Sequence, residues 1–205
     1  MPSSPTERPR SPRQRMVYAA AQQMRRQGVA RTGLRAVVAE ADAPWGSLQH
    51  YFPGGKDQLI AEALEWAGRY AAAGVTSYLT TTLTTTSAPT PAGLFEHLVR
   101  PWQEELVRRD FARGCPAAAA VSDSAADHEG IRTWARDALA AWRAPITQAL
   151  EQMGVEASRA QDLSALMLAA LEGAIILARA ERSLDPFERV VRALRPALTL
   201  EAPSD

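Results

Sequence analysis

Few residues in this chain of 205 offer chemistry: Cys115, three histidines at positions 50, 97 and 128, and the triplet Gly54-Gly55-Lys56. A metal centre needs ligands at short, repeated spacing, and these histidines are far apart, with no HxxxH or CxxC run. A phosphate loop needs GxxxxGK followed by Ser or Thr, placed after a strand so that backbone N–H groups ring the phosphates. Here Lys56 is followed by Asp57, and no strand-like alternation precedes it. Nucleophilic catalysis needs an activated thiol, but Cys115 sits in GCPAAAA without a nearby base and reads as a small buried hydrophobe. The chain is therefore not expected to be an enzyme, and neither a metal nor a cofactor is expected. What remains is GSLQHYFPGGK, residues 46–56, where polar and aromatic groups alternate with Leu48 and Phe52.

The elements that would position this stretch are helical. Ala and Leu dominate, aromatics are sparse, and no strand-like alternation or internal repeat is present. Residues 1–12, rich in Pro, Ser and Arg, read as a disordered basic tail; Arg8 and Arg10 either reach a minor groove or simply trail. A helix runs from Arg13 to a stop at Gly28. Thr32 reads as an N-cap, and Leu34, Val37, Val38 and Ala41 space a short amphipathic helix. Asp42-Ala43-Pro44 breaks it, Asp42 being tolerant of the left-handed turn conformation. A second short helix buries Leu48 and Phe52 and ends at Pro53-Gly54-Gly55. Further helices follow: a long one from about Lys56, then 91–109, a short piece in FARGCPAAAAVSDSA, 128–153, 156–182 and 186–199. The expected fold is all-α with about nine helices: a reading head over 13–58 and a helical body over 59–205.

Two short helices joined by a tight turn make a helix-turn-helix, whose second helix enters the major groove of DNA. The charge is split to match. Residues 1–60 carry net +5 and the remainder −5, within a chain of zero net charge. With Leu48 and Phe52 inward, the face left for double-stranded DNA comprises Thr32, Arg35, Pro44, Trp45, Gly46, Ser47, Gln49, His50, Tyr51 and Lys56. Gln49 can pair bidentately with adenine, while Lys56, Tyr51 and the next helix N-terminus can hold phosphates.

This order of elements resembles the TetR family of repressors. The resemblance rests on Ala20 and Gly28, on Thr32–Ala41, on Gly46-Ser47-Leu48-Gln49-His50-Tyr51-Phe52, and on Lys56-Asp57-Gln58-Leu59. Arg113-Gly114-Cys115-Pro116, Trp142 and Leu171-Glu172-Gly173-Ala174 resemble its LmrA-like branch. Asp42 stands where the family usually has Gly, and Gln49 where it usually has Tyr. The resemblance implies a cytoplasmic homodimeric repressor that a small-molecule effector releases from a palindromic operator. A different reading is a regulator that acts mainly through protein–protein contacts with a degenerate DNA-binding head.

Residues Leu163–Ala178 form an apolar run of sixteen, short for a membrane span, and no membrane association is expected. A helix apolar nearly all round needs burial on two sides, against its own core and a partner. Leu163, Leu166, Ala170, Ala174 and Ala178, with Phe187, Val190, Val191 and Leu194 from the last helix, are the expected dimer seam. The expected effector pocket comprises Phe95, Val99, Trp102, Phe111, Trp134, Leu139, Trp142, Met167, Glu172 and Ile176. Aromatics at helical spacing also serve as plain core. Glu172, a carboxylate within an apolar run, either meets a ligand or pairs locally.

Overall fold

The computed structural model describes residues 11–83 and 88–199, in which nine α-helices and one 3₁₀ turn form an all-α fold. The first helix, α1 (Pro12–Gln27), begins within the stretch expected as a tail. Ser11 caps it by accepting from Gln14 N at 3.3 Å while its own N–H donates to Gln14 Oε1 at 2.9 Å, and Pro12 presets the first turn. Arg8 and Arg10 lie outside the described residues. Gly28 ends the helix with φ at +82°, a conformation that favours glycine.

The head continues through α2 (Leu34–Glu40) and α3 (Trp45–Tyr51). Thr32 is not the cap of α2. Gly33 occupies that position without a side-chain bond, and the Thr32 hydroxyl is turned inward to donate to Gly28 O at 2.8 Å. Between α2 and α3, Asp42 takes φ +46°, the left-handed turn expected of it. Arg15 clamps this turn from α1, donating to Ala41 O at 2.7 Å and Asp42 O at 2.8 Å. Leu48 and Phe52 are buried as the helical spacing requires.

From there α4 (Gly55–Leu83) leaves the head and runs through the body, unbroken across the expected boundary at residue 58. The body adds α5 (Pro91–Arg108), α6 (Pro116–Asp123), α7 (Glu129–Gln152), α8 (Ala157–Glu181) and α9 (Asp185–Leu194), with the 3₁₀ turn at Arg195–Leu198. The most extensive packing is α4 on α7. The two come close at Gly68, where a Cβ would stand 2.9 Å from Ala138 O, so a larger residue would push the helices apart. Pro101 lies inside α5 and Pro145 inside α7, each deleting one backbone N–H from its helix. By length and composition α8 could cross a membrane; in this fold it packs against α7, α9 and α5.

Candidate DNA-reading face and a cavity shared by head and body

A candidate reading face follows from the burial pattern of α3. With Leu48 and Phe52 inward, Trp45, Gly46, Gln49 and His50 are exposed, and Ser47 and Tyr51 are half-buried. Trp45 is 54% exposed, a large apolar ring held outward with the Arg35 guanidinium of α2 over it, 5.9 Å from the ring centroid. Pro44, exposed, begins the helix, and the Ser47 hydroxyl donates to Pro44 O at 2.6 Å. The His50 and Tyr51 rings meet edge to face at 5.0 Å. Lys56 donates through Nζ to Ala30 O at 3.2 Å, tying the start of α4 to the loop after α1. An ammonium has three donors, so phosphate contact remains open to it. Thr32, only 2% exposed, is the one expected contact whose side chain is turned inside.

A cavity of about 600 Å³ opens between head and body, within the range of small-molecule sites, about 300–1,000 Å³. Of the expected pocket residues, Trp102, Leu139 and Trp142 line it. Phe95, Val99 and Met167 are buried in the core instead. Phe111 sits in the loop after α5 at φ +58°, and Trp134 packs against the His128 ring at 5.9 Å. Ile176 faces outward from α8, 58% exposed. In their place stand residues of α1 (Tyr18, Gln22 and Arg25) and an aromatic ladder on α4. Tyr18 meets Trp66 edge to face at 5.4 Å, and Trp66 stacks on Tyr70 at 5.3 Å. The legible sign was the spacing of Trp66 and Tyr70 four apart beside Gly68 and Gly74, since glycine in a helix interior costs about 1 kcal/mol relative to alanine.

The polar wall of the cavity joins three elements. Arg25 of α1 donates to Gly114 O at 2.9 Å and Gln22 Oε1 at 3.1 Å, reaches Glu105 of α5 at 3.4 Å, and lies over the Trp102 ring at 5.3 Å. Gly114 N returns a bond to Arg25 O at 2.9 Å, and Arg113 donates to the same Gln22 at 2.8 Å. Burial lowers the affinity of the Arg25 and Arg113 guanidiniums for their protons, and each has another arginine as neighbour. Burial pushes the Glu105 carboxyl up, but the Arg108 hydrogen bond and the charges of Arg25, Arg108 and Arg109 outweigh it and hold the group below its usual range. Burial also lowers the His97 imidazole at the far wall, with Arg100 adding to the effect.

Cys115 lines the cavity floor, and its thiol is pushed well up by burial and by the charge of Glu172, so it is held protonated and unreactive. Glu172 lies against Cys115 rather than on the cavity wall. Both of its carboxylate oxygens are shielded from solvent, and neither meets hydrogen-bond geometry with any group. Burial raises this carboxyl to about 7, against the opposing pull of the neighbouring Cys115 thiol. The indole Nε1 of Trp142 is likewise buried without an acceptor.

The two halves match described families over most of their length. Residues 17–63 match the model of bacterial regulatory proteins of the tetR family, and residues 91–193 match that of the LmrA/YxaF-like transcriptional regulator C-terminal domain. The chain belongs to the TetR family. A helix-turn-helix transcriptional regulator of Mycobacterium tuberculosis (strain H37Rv), itself uncharacterized, is 35% identical over 197 residues, 94% of this chain and 96% of that one. The LmrA regulator of Bacillus subtilis is 26% identical, covering 85% of this chain and 90% of its own. A TetR regulator from Legionella pneumophila shares the fold, with TM-score 0.75 at 16% identity over 97% of this chain and 100% of that one. This TetR-family member is accordingly a DNA-binding transcription regulator and not an enzyme.

In the regulator's body, the expected seam residues divide. Leu163, Ala174, Ala178, Phe187 and Leu194 are buried within the chain, holding α8 and α9 to the core. Ala170, Val190 and Val191 are half-buried, and Leu166 is 43% exposed. Ile176 and Leu177, at 58% and 48%, extend the outward stripe along α8.

Proposed function

We propose that this TetR-family regulator is a repressor that binds a palindromic operator as a homodimer and is released by a small molecule entering the cavity. The observation that carries the reading is the shared wall: Tyr18, Gln22 and Arg25 belong to the helix that braces the helix-turn-helix, yet they line the cavity of the body. A ligand that presses on this wall acts on the reading head directly. Supporting the dimer, α8 presents Leu166, Ala169, Gly173, Ile176, Leu177 and Ala180 at three- and four-residue steps, apolar or small and mostly exposed. Burying such a stripe against its own copy across a two-fold axis removes it from water and lets the helices approach closely. Two reading helices then face successive major grooves, roughly 34 Å apart. The site of action of such a repressor is the cytoplasm.

Fluorescence anisotropy with the duplex upstream of the regulator's own gene tests this. A repressor prefers that duplex to a random one of equal length, with affinity falling steeply as salt rises. Equal, salt-insensitive binding to both would overturn the proposal.

A further inference from the structure

Glu105 is the meeting point of four arginines. Arg25 stands 3.4 Å from it, Arg109 and Arg113 each 3.6 Å, and Arg108 closes a tight ion pair. One carboxylate thus faces four guanidiniums. The other acid on this wall, Glu104, is exposed at the cavity rim. Arg25 and Arg113 are nearly enclosed, with side chains 14% and 11% exposed, so solvent screens their mutual repulsion poorly. Three of the four, Arg25, Arg108 and Arg109, line the cavity beside the aromatic faces of Trp66, Tyr70 and Trp102. The single carboxylate carries less charge than the guanidiniums around it.

We propose that the cavity takes a planar aromatic anion, its ring against the tryptophans and its charge on the Arg25–Arg108–Arg109 side, where it draws Arg25 away from Glu105. The proposal rests on the ligand-response reading above and names its effector class. Guanidiniums suit a carboxylate because their paired N–H donors match its two oxygens. The same contact supplies the switch. Gly114 N donates to Arg25 O, the Arg25 guanidinium donates back to Gly114 O, and the same guanidinium rests on Trp102. Turning Arg25 toward a ligand loosens the join between α1 and the loop before α6. Because Arg15 of α1 holds the turn of the helix-turn-helix, that movement reaches α3. Cationic ligands meet the opposite arrangement, three arginines across the cavity wall.

The test uses three probes of one shape: 2-naphthoate, 2-naphthamide and 2-naphthylmethylammonium. Binding is read by calorimetry, and release by anisotropy of a duplex obtained from random-sequence selection. The expected result is naphthoate binding at least about tenfold tighter than the amide, with the ammonium weakest, and naphthoate alone releasing the duplex. The double variant R108Q/R109Q, altered at exposed positions, should lose most of the preference for naphthoate over the amide. Amide or ammonium binding as tightly as naphthoate overturns the anion assignment. If either of these also releases the duplex, ligand response stands and only the effector class falls. Naphthoate affinity unchanged in R108Q/R109Q overturns the assignment as well.

Discussion

Replacing Glu172 by Gln should stabilise the regulator at alkaline pH and change it little in acid. The carboxyl is raised to about 7 from an ordinary 4.5 because burial disfavours its charge, and this outweighs the opposing pull of the Cys115 thiol. The folded state therefore holds its proton where the unfolded chain has released it. Stability contributed by the protonated form is fully present below about pH 4.5 and is lost as pH rises through about 7. At about 1.36 kcal/mol per unit, a rise of this size corresponds to about 3 kcal/mol lost by about pH 8, and under about 1 kcal/mol at about pH 5. The amide of Gln carries no charge to desolvate, so E172Q escapes the pH-dependent part. For a chain of this size about 1 kcal/mol moves Tm by about 2–4 °C, which makes the expected gain about 6–12 °C at about pH 8. Calorimetric or circular-dichroism melting of both proteins at the two pH values, at one protein concentration, measures it. A Tm difference equal at both pH values, or a loss for E172Q that grows with pH, would refute the reasoning, since either means that the carboxylate is paired in the folded protein.

Three further outcomes follow from the geometry. L166E combined with I176E places charge on the outward stripe of α8 and should turn the proposed dimer into a monomer of unchanged helicity, as read by light scattering and circular dichroism. D42G relieves the left-handed strain at φ +46° and should stabilise by up to about 1 kcal/mol, whereas D42A should destabilise by a similar amount in urea denaturation. Q49A should relax base preference at one operator position, costing about 1–3 kcal/mol there, while K56A should weaken all duplexes alike; competition anisotropy with single-base variants separates the two.

The helices and the turn chemistry were legible because both are local. Apolar spacing marked each helix, Pro and Gly marked most ends, and Asp42 declared its turn by its tolerance of positive φ. Thr32 misled because the position that looked like a cap is occupied by Gly33, freeing the hydroxyl to bond Gly28 O within the core. The cavity was legible only in part. Trp102, Leu139 and Trp142 stood on helices expected to face it, but Tyr18, Gln22 and Arg25 reach it from the head, and helical spacing within one element does not reveal contact between elements distant in sequence. Phe95 and Met167 show the converse: apolar residues of the right type and period that simply fill the core. Arg25 and Glu105 are eighty residues apart, and nothing in either neighbourhood announces their meeting. Glu172 was the exception, since a carboxylate in an apolar run signals an unusual environment by itself, and its oxygens are indeed shielded from solvent, beside the Cys115 thiol.

The central claim, that the exposed face of α3 reads a two-fold operator, is tested most directly by selecting bound duplexes from a random-sequence pool with the full-length protein at moderate salt. The account predicts an enriched inverted repeat whose half-site centres lie about one helical turn apart, with Q49A altering the enriched base at one position in each half-site. A pool that stays unenriched, or that converges on a motif without two-fold symmetry, would contradict it.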